Sequence, residues 1–298
     1  MKKTIVITTI NEPTEALIKF SEMKDWDLIV VGDLKTPHKL YKDIDCTYLT
    51  PEYQERNYKK LSDAIGWNQS PRRNIGFVEA YKRGADILAL SDDDNIPYDD
   101  WGQELFVNKE IEVDCYDTDN DVFDPFSATK YNTFWHRGFP IELVPVKNNI
   151  KYIGKIKRKV HVQANFWDGD PDIDGMERLI WNPTVKFDFD KPFCSTKISP
   201  FNSQNTFLSR KAIPYFMLIP FTERVDDIWG SYAMQKFLPG SVIYHKATVY
   251  QERNYHNLVD DLQLEIYGYN NTLNFIKNTY NLKNDSQNAY DAYRGEFE

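Results

Sequence analysis

Apolar and polar positions fall into two periods along this chain, and the N-terminal part reads as strand, helix, strand. Lys3 to Thr8 is an apolar run of strand length, and Asn11, Glu12, Pro13 and Thr14 then supply the cap and first-turn chemistry of a helix through Phe20. Asp27 to Val31 is a second apolar run, closed by Gly32 and Asp33. Two apolar strands joined by a helix predict a parallel βαβ start. Ile75, Val78, Glu79 and Lys82 lie at helical spacing within Asn74 to Arg83, Gly84 provides a stop, and a strand over Ile87 to Leu90 follows. The acidic run Ser91 to Asn95 comes directly after that strand, where open parallel sheets bind their ligands.

Regular periods fade between Asp124 and about Thr206, where prolines, aromatics and a turn-like acidic stretch from Trp167 to Asp174 predict loops and short strands over the carboxyl edge of the sheet. Helical spacing returns at Arg224 to Phe237, with Ile228, Tyr232 and Met234 on its apolar side, and stops near Pro239 and Gly240. Ser241 to Tyr244 predicts a strand, with His245 just beyond it. Leu258, Leu262, Ile266, Tyr269, Leu273 and Ile276 mark a long terminal helix. These elements predict one α/β unit over residues 1–280 with a mostly parallel central sheet, a loop-rich acceptor-side region near 124–206, and a loosely held polar tail at 281–298.

Composition narrows the function classes. The 298 residues carry a formal charge of −9, which opposes extended contact with nucleic acid or an anionic membrane. A single nucleotide can still bind where a metal ion and a few cations offset its phosphates. Cys46, Cys115 and Cys194 form no CxxC, so a thiolate zinc site or disulfide framework is not expected. No run reaches the roughly 18 apolar residues of a membrane span, and the expected location is cytoplasmic. With 7 Trp, 19 Tyr and 18 Phe, the chain has more aromatics than its core requires, and some are expected to line a pocket. Neither a GxGxxG nor a GxxxxGK[ST] motif occurs, which removes the main support for dinucleotide binding and for a P-loop.

Asp92, Asp93 and Asp94 are the sharpest local feature. Three adjacent carboxylates repel one another, so they need a cation or firm hydrogen bonds to remain ionised in a confined place. Hard Mn²⁺ or Mg²⁺ ions suit oxygen ligands and keep positions open for phosphates. Side-chain alternation places Asp92 and Asp94 on one side, with Asp94 a metal ligand and Asp92 either a second ligand or a contact to ribose or base. Thr8, Thr9, Asn11 and Asp33 follow the first two strands and suit a uracil-like base and its ribose, or serve only as strand ends and caps. Arg72 or Arg73, before a helix, can face phosphate oxygens. Arg137 sits between aromatics and Gly138-Phe139-Pro140, where it either orients substrate oxygens or pairs with a buried carboxylate. Asp226 and Asp227 precede a helix as candidates for accepting an acceptor's proton or capping that helix. His245 either completes a metal shell or is structural.

Taken in order, Arg73-Asn74-Ile75-Gly76, Ser91-Asp92-Asp93-Asp94-Asn95, His136-Arg137-Gly138-Phe139-Pro140, Gly169-Asp170-Pro171-Asp172-Ile173-Asp174, Pro200-Phe201-Asn202-Ser203-Gln204-Asn205-Thr206 and Asp227-Ile228-Trp229 resemble the STELLO-type glycosyltransferase-like family over roughly Arg72 to Asn254. The resemblance implies a GT-A-like nucleotide-sugar-binding fold. It implies that Asp92 to Asp94 match the family's acidic metal motif, and it gives Asn202 to Thr206 a family match without a role. Plant STELLO proteins are membrane-anchored and linked to cellulose synthesis, and neither property is carried over to this chain. A more distant similarity joins Arg137 in Arg-Gly-Phe-Pro to the Arg-Gly-Tyr-Pro of reversibly glycosylated polypeptides, which include UDP-arabinopyranose mutases. The expected function is therefore metal-dependent transfer of a sugar from a nucleoside-diphosphate sugar, UDP-sugars favoured, to a glycan or small hydroxyl acceptor. A mutase glycosylated at Arg137 and a noncatalytic sugar-binding protein are the alternatives.

Overall fold

The computed structural model describes residues 1–252 and 257–298, so the far end of the resembling span, at Asn254, lies outside the described residues. The strands are β1 Lys3–Thr9, β2 Asp27–Gly32, β3 Thr47–Leu49, β4 Ile87–Ser91, β5 Asn95–Pro97, β6 Glu110–Thr118, β7 Ile150–Lys159, β8 Val162–Asn165, β9 Asp168–Gly169, β10 Phe193–Ser195, β11 Asn205–Ser209, β12 Val242–His245 and β13 Val249–Gln251. The helices are α1 Glu15–Ser21, α2 Pro51–Asn57, α3 Lys59–Ile65, α4 Arg73–Lys82, α5 Gly175–Ile180, α6 Asp226–Phe237, α7 Leu258–Ile276 and α8 Asn284–Gly295. Ten strands form one sheet in the order β3-β2-β1-β4-β11-β8-β12-β10-β6-β7, and β5, β13 and β9 form a small second sheet.

The large sheet is mostly parallel, with five of its nine neighbouring pairs parallel and β6, β10 and β11 running against the other seven strands. Its first half is the predicted βαβ start. β1, β2 and β4 are almost wholly buried apolar strands, as parallel strands covered on both faces must be. Thr14 caps α1 by accepting from the Leu17 amide at 3.2 Å.

Two features of this frame position the site. Because β11 runs antiparallel to β4, its first residue, Asn205, pairs with Ser91, so the segment entering β11 reaches the same sheet edge as the aspartate run leaving β4. Helix α4 lies unusually close to the sheet, since a Cβ on Gly76 would fall 2.4 Å from Val6 and 2.7 Å from Val31. That approach brings the N-terminus of α4, with Arg73, to the end of β4.

The polar composition of residues 281–298 misled the expectation of a loose tail. The segment carries α8, whose buried face is made of Ala289, Ala292 and Tyr293, too small an apolar stripe to stand out in the sequence. The Tyr293 hydroxyl donates to the Ile213 carbonyl at 2.7 Å and Ser286 to that of Pro220 at 2.8 Å, fastening the helix down. Among the described residues, no helix is long and apolar enough to cross a membrane.

Candidate active site

The aspartate run leaves β4 as a turn, and the turn breaks the alternation assumed from the sequence. Asp92 lines a cavity of about 340 Å³ with Arg73, Arg137, Asp172, Asp226, Asp227 and neighbouring polar residues. Asp93 and Asp94 both line a different cavity of about 590 Å³, with Asn11, Glu12, Thr14, Glu15 and Glu252. Asp92 and Asp94 therefore do not share a side. Three consecutive residues divide two compartments instead.

On the larger side, Asp93 is firmly held. Thr9 donates to its Oδ2 at 2.5 Å, Asn11 Nδ2 donates to the same oxygen at 2.9 Å, and Thr14 donates to its carbonyl at 2.5 Å. Thr9 and Asn11 thus reach the site through Asp93. Thr8 does not, because its hydroxyl donates to the Val31 carbonyl at 3.0 Å within the sheet. Asp33 is also diverted: it accepts from the amides of Asn68 at 2.9 Å and Gln69 at 3.2 Å and pins the loop that leads into α4. The described residues lining this cavity include five carboxylates, Glu12, Glu15, Asp93, Asp94 and Glu252, and no lysine or arginine.

The smaller cavity is organised by arginines. Arg73 pairs with Asp92 and donates from Nη1 to the Ser203 carbonyl and hydroxyl, both at 3.0 Å. Burial raises the Asp92 carboxyl above the usual range, with Arg73 acting against the rise. Arg137 donates to Asp172 from Nε at 2.7 Å and from Nη2 at 3.0 Å, to Asp227 at 3.1 Å, and from Nη1 to the Arg224 carbonyl. Burial works against that guanidinium, but Asp172 and Asp227 outweigh it and hold its proton more tightly than usual. Gly138, at φ +72°, allows the chain after Arg137 to turn under α6, where a Cβ would lie 2.7 Å from Ile228. An arginine that attacks a sugar must release a proton, so this environment gives Arg137 a positioning role and removes the geometric support for it as an attachment point.

Arg72 and Arg73 are neighbours with opposite fates. Arg72 is fully buried and turned away from both cavities, donating to Ser62 at 3.0 Å and the Gly66 carbonyl at 3.1 Å, pairing with Gln54, and lying 3.6 Å over the Trp67 ring. Burial pushes its pKa down to about 10. Its expected contact with phosphate is lost because the short 3₁₀ turn over Ser70–Arg72 points it back into the α2–α3 layer.

His245 also stays outside the site. It ends β12, three strand spacings from β4, or roughly 14 Å across the sheet. Its Nε2 meets the Asp190 carbonyl at 3.0 Å, and its ring packs edge-on against Phe106. Burial depresses its pKa, as for a structural imidazole. Among the described residues, no three His, Cys, Asp or Glu side chains converge into a metal-holding group.

The two carboxylates at the start of α6 separate by environment. Asp227 is occupied by Arg137, by the Ser203 amide at 2.9 Å and by the Ile228 amide at 2.9 Å. Among the described residues, Asp226 accepts only from Ser70 at 2.5 Å and the Asp227 amide at 2.8 Å. Burial, and behind it the Asp227 charge, raises Asp226 to about 6.

The Asn202–Thr206 segment acquires a role that spacing could not give it. Asn202 donates to Asp172 at 2.8 Å, Ser203 links Arg73 to Asp227, and Thr206 closes the turn by donating to the Asn202 carbonyl at 2.7 Å. Asn205 ties down Trp101 and Thr248. Asp172 comes from the acidic stretch Trp167 to Asp174, which suits hydrogen bonds from sugar hydroxyls or a turn and cap, whereas Ser70, Ser203 and Gln251 were missing from the expected site and only the Asn202–Thr206 block hinted at one of them. Among the described residues, no aromatic lines either cavity at the aspartate turn. The surplus rings fill an inner cluster around Phe126, Phe166, Trp167, Phe187 and Phe193.

No protein-family model matches the sequence. Two curated relatives from Arabidopsis thaliana do match: probable glycosyltransferase STELLO2, 25% identical over 84% of this chain, and probable glycosyltransferase STELLO1, 24% identical over 80%. The chain spans about a third of their length, 36% and 33% respectively. Among solved structures, glucosyl-3-phosphoglycerate synthase from Mycobacterium tuberculosis, in complex with Mn²⁺, UDP and glucosyl-3-phosphoglycerate, superposes with a TM-score of 0.51. The superposition covers 94% of this chain and 81% of that one at 11% identity, so it speaks to fold. The chain is thus similar over four-fifths of its length to the STELLO-type probable glycosyltransferases, and it has a GT-A-like α/β fold.

Proposed function

We propose that this protein is a divalent-metal-dependent glycosyltransferase that moves a sugar from a nucleoside-diphosphate sugar, UDP-sugars first, to a hydroxyl group of a glycan or small acceptor. The observation that carries this reading is the division of two cavities by Asp92, Asp93 and Asp94 at the carboxyl edge of β4. One compartment suits a metal-bound diphosphate, and the other offers a base for the acceptor.

The residues present fit a Mn²⁺ or Mg²⁺ ion. Such ions take one or two carboxylates and complete their shell with phosphates and water, so a cavity with Asp93 and Asp94 in its wall suffices without a third protein cage ligand. Asp94, supported by Asp93, would hold the ion. When bound, the metal offsets phosphate charge and stabilises the departing diphosphate. The chain's own residues do the rest. Arg73 locks Asp92 at the wall between the compartments, and Arg137 with Asp172 and Asp227 fixes the start of α6. Asp226, held near neutrality by burial, accepts the proton of the attacking hydroxyl. Ser70 orients it.

A panel of UDP-, GDP- and CMP-sugars, assayed for nucleotide release with Mn²⁺ and with chelator, tests the proposal. Metal-dependent release from at least one donor is expected. Folded protein that neither binds nor cleaves any donor contradicts it, and sugar binding indifferent to metal and to Asp94→Ala favours a noncatalytic binding protein.

A further inference from the structure

We infer that the acceptor is an uncharged polyhydroxyl compound, a sugar or glycan end, and not a phosphorylated or carboxylated molecule. The inference rests on the proposed transferase reading and concerns the compartment that contains Asp226. Among the described residues three arginines line that cavity, the natural means of gripping an anion, but the charge of each is already matched inside the protein. Arg73 pairs with Asp92, and Arg137 with Asp172 and Asp227. Arg224 turns away to α7, with Nη1 3.1 Å from Asp261 and Nε 2.9 Å from Glu265.

After these pairs are taken, the surplus charge in the wall is negative. Asp226 and Glu223 have no cationic partner among the ion pairs of the described residues, and no lysine lines the cavity there. The amide oxygen of Gln251, 3% exposed and part of the same wall, has no hydrogen-bond partner among the described residues. Arg73 Nε is the one lining donor that also has no hydrogen-bond partner among the described residues, so the unmatched groups of the cavity are mainly acceptors. A ligand that arrives with donors, as hydroxyl groups do, satisfies them, whereas a phosphate or carboxylate meets like charge and finds no unmatched guanidinium charge among the described residues. The volume of about 340 Å³ accommodates a sugar unit or two.

The test is ligand-observed NMR on the full chain with UDP and Mn²⁺ present, using methyl glycosides and neutral disaccharides against glucuronate, glucose 6-phosphate and 3-phosphoglycerate. Neutral probes are expected to bind at least tenfold more tightly than the anionic ones. Glu223→Lys, at an exposed position, is expected to narrow that gap by raising affinity for the anionic probes. Tighter binding of the anionic set, or no binding of any neutral probe while UDP binds, overturns the inference and leaves the donor reading standing. Failure of UDP itself to bind with Mn²⁺ overturns both.

Discussion

The two compartments beside the aspartate turn hold the same number of carboxylates and treat them in opposite ways. Around Asp172, Asp226 and Asp227, buried negative groups are interleaved with Arg73, Arg137 and Arg224 and with amides from the Asn202–Thr206 segment. Around Asp93 and Asp94, the described lining contains carboxylates and no cation. In the first compartment every arginine of the described lining is matched internally, and only Asp226 and Glu223 keep unpaired charge among the described residues. A divalent cation bound in the second would turn a wall of carboxylates into one that attracts phosphate.

Variants can break this contrast in order of expected size. Asp226→Asn should lower turnover by roughly 10²–10⁴-fold with little change in donor affinity, since it removes a base while retaining its shape. On the proposed reading, the same group sets a pH limb in the wild-type protein. Its carboxyl is raised to about 6, so the active, deprotonated form accumulates as pH rises through that value and is lost below it. A log(kcat/KM) profile that lacks a rise near pH 6 would remove Asp226 from the role.

Arg137→Ala should destabilise the fold by roughly 3–5 kcal/mol, because Asp172 and Asp227 would be left buried without their partner. Denaturant unfolding measures this. Asp94→Ala in the opposite compartment should leave Mn²⁺-independent binding unchanged but weaken metal-dependent UDP binding by roughly a hundredfold. If Arg137→Ala proves mild and yields a stable sugar adduct-deficient enzyme with intact fold energy, the positioning role fails and the attachment-point reading regains support.

The smallest effect belongs to the capping box of α5. Asp174 and Glu177 form it reciprocally, and burial, followed by the Asp174 charge, raises Glu177 to about 9. The folded state then holds a proton that the unfolded chain releases near the ordinary glutamate range. Stability from this group is full at low pH and is lost as pH rises toward about 9. Glu177→Gln should therefore raise the melting temperature at pH 8 by about 2–4 °C and have less effect at pH 5.

Much of the frame was legible because its signals are local. The apolar runs of β1, β2 and β4 and the helical spacing of α4, α6 and α7 appear within a few residues of each true boundary. The ten-residue β7 was hidden within a region read as loops and short strands, since its alternating lysines resemble a solvated segment, and it is an edge strand with one exposed face. The site was only half legible. The aspartate turn declared itself by position, but its division between two cavities depends on a turn in place of an extended strand. Arg72 and Arg73 cannot be told apart by composition, because one step along the chain sends their side chains in different directions. Ser203 meets Arg73 across 130 residues of sequence, a contact no local pattern reports.

The most direct test of the contrast between compartments is calorimetric titration of UDP into the wild-type protein with Mn²⁺ and then with EDTA. The account predicts clear binding with Mn²⁺ and a loss of at least tenfold in affinity without it. Equal affinity under both conditions would contradict it, because the carboxylate-lined cavity would then be holding phosphates without the cation on which the account depends.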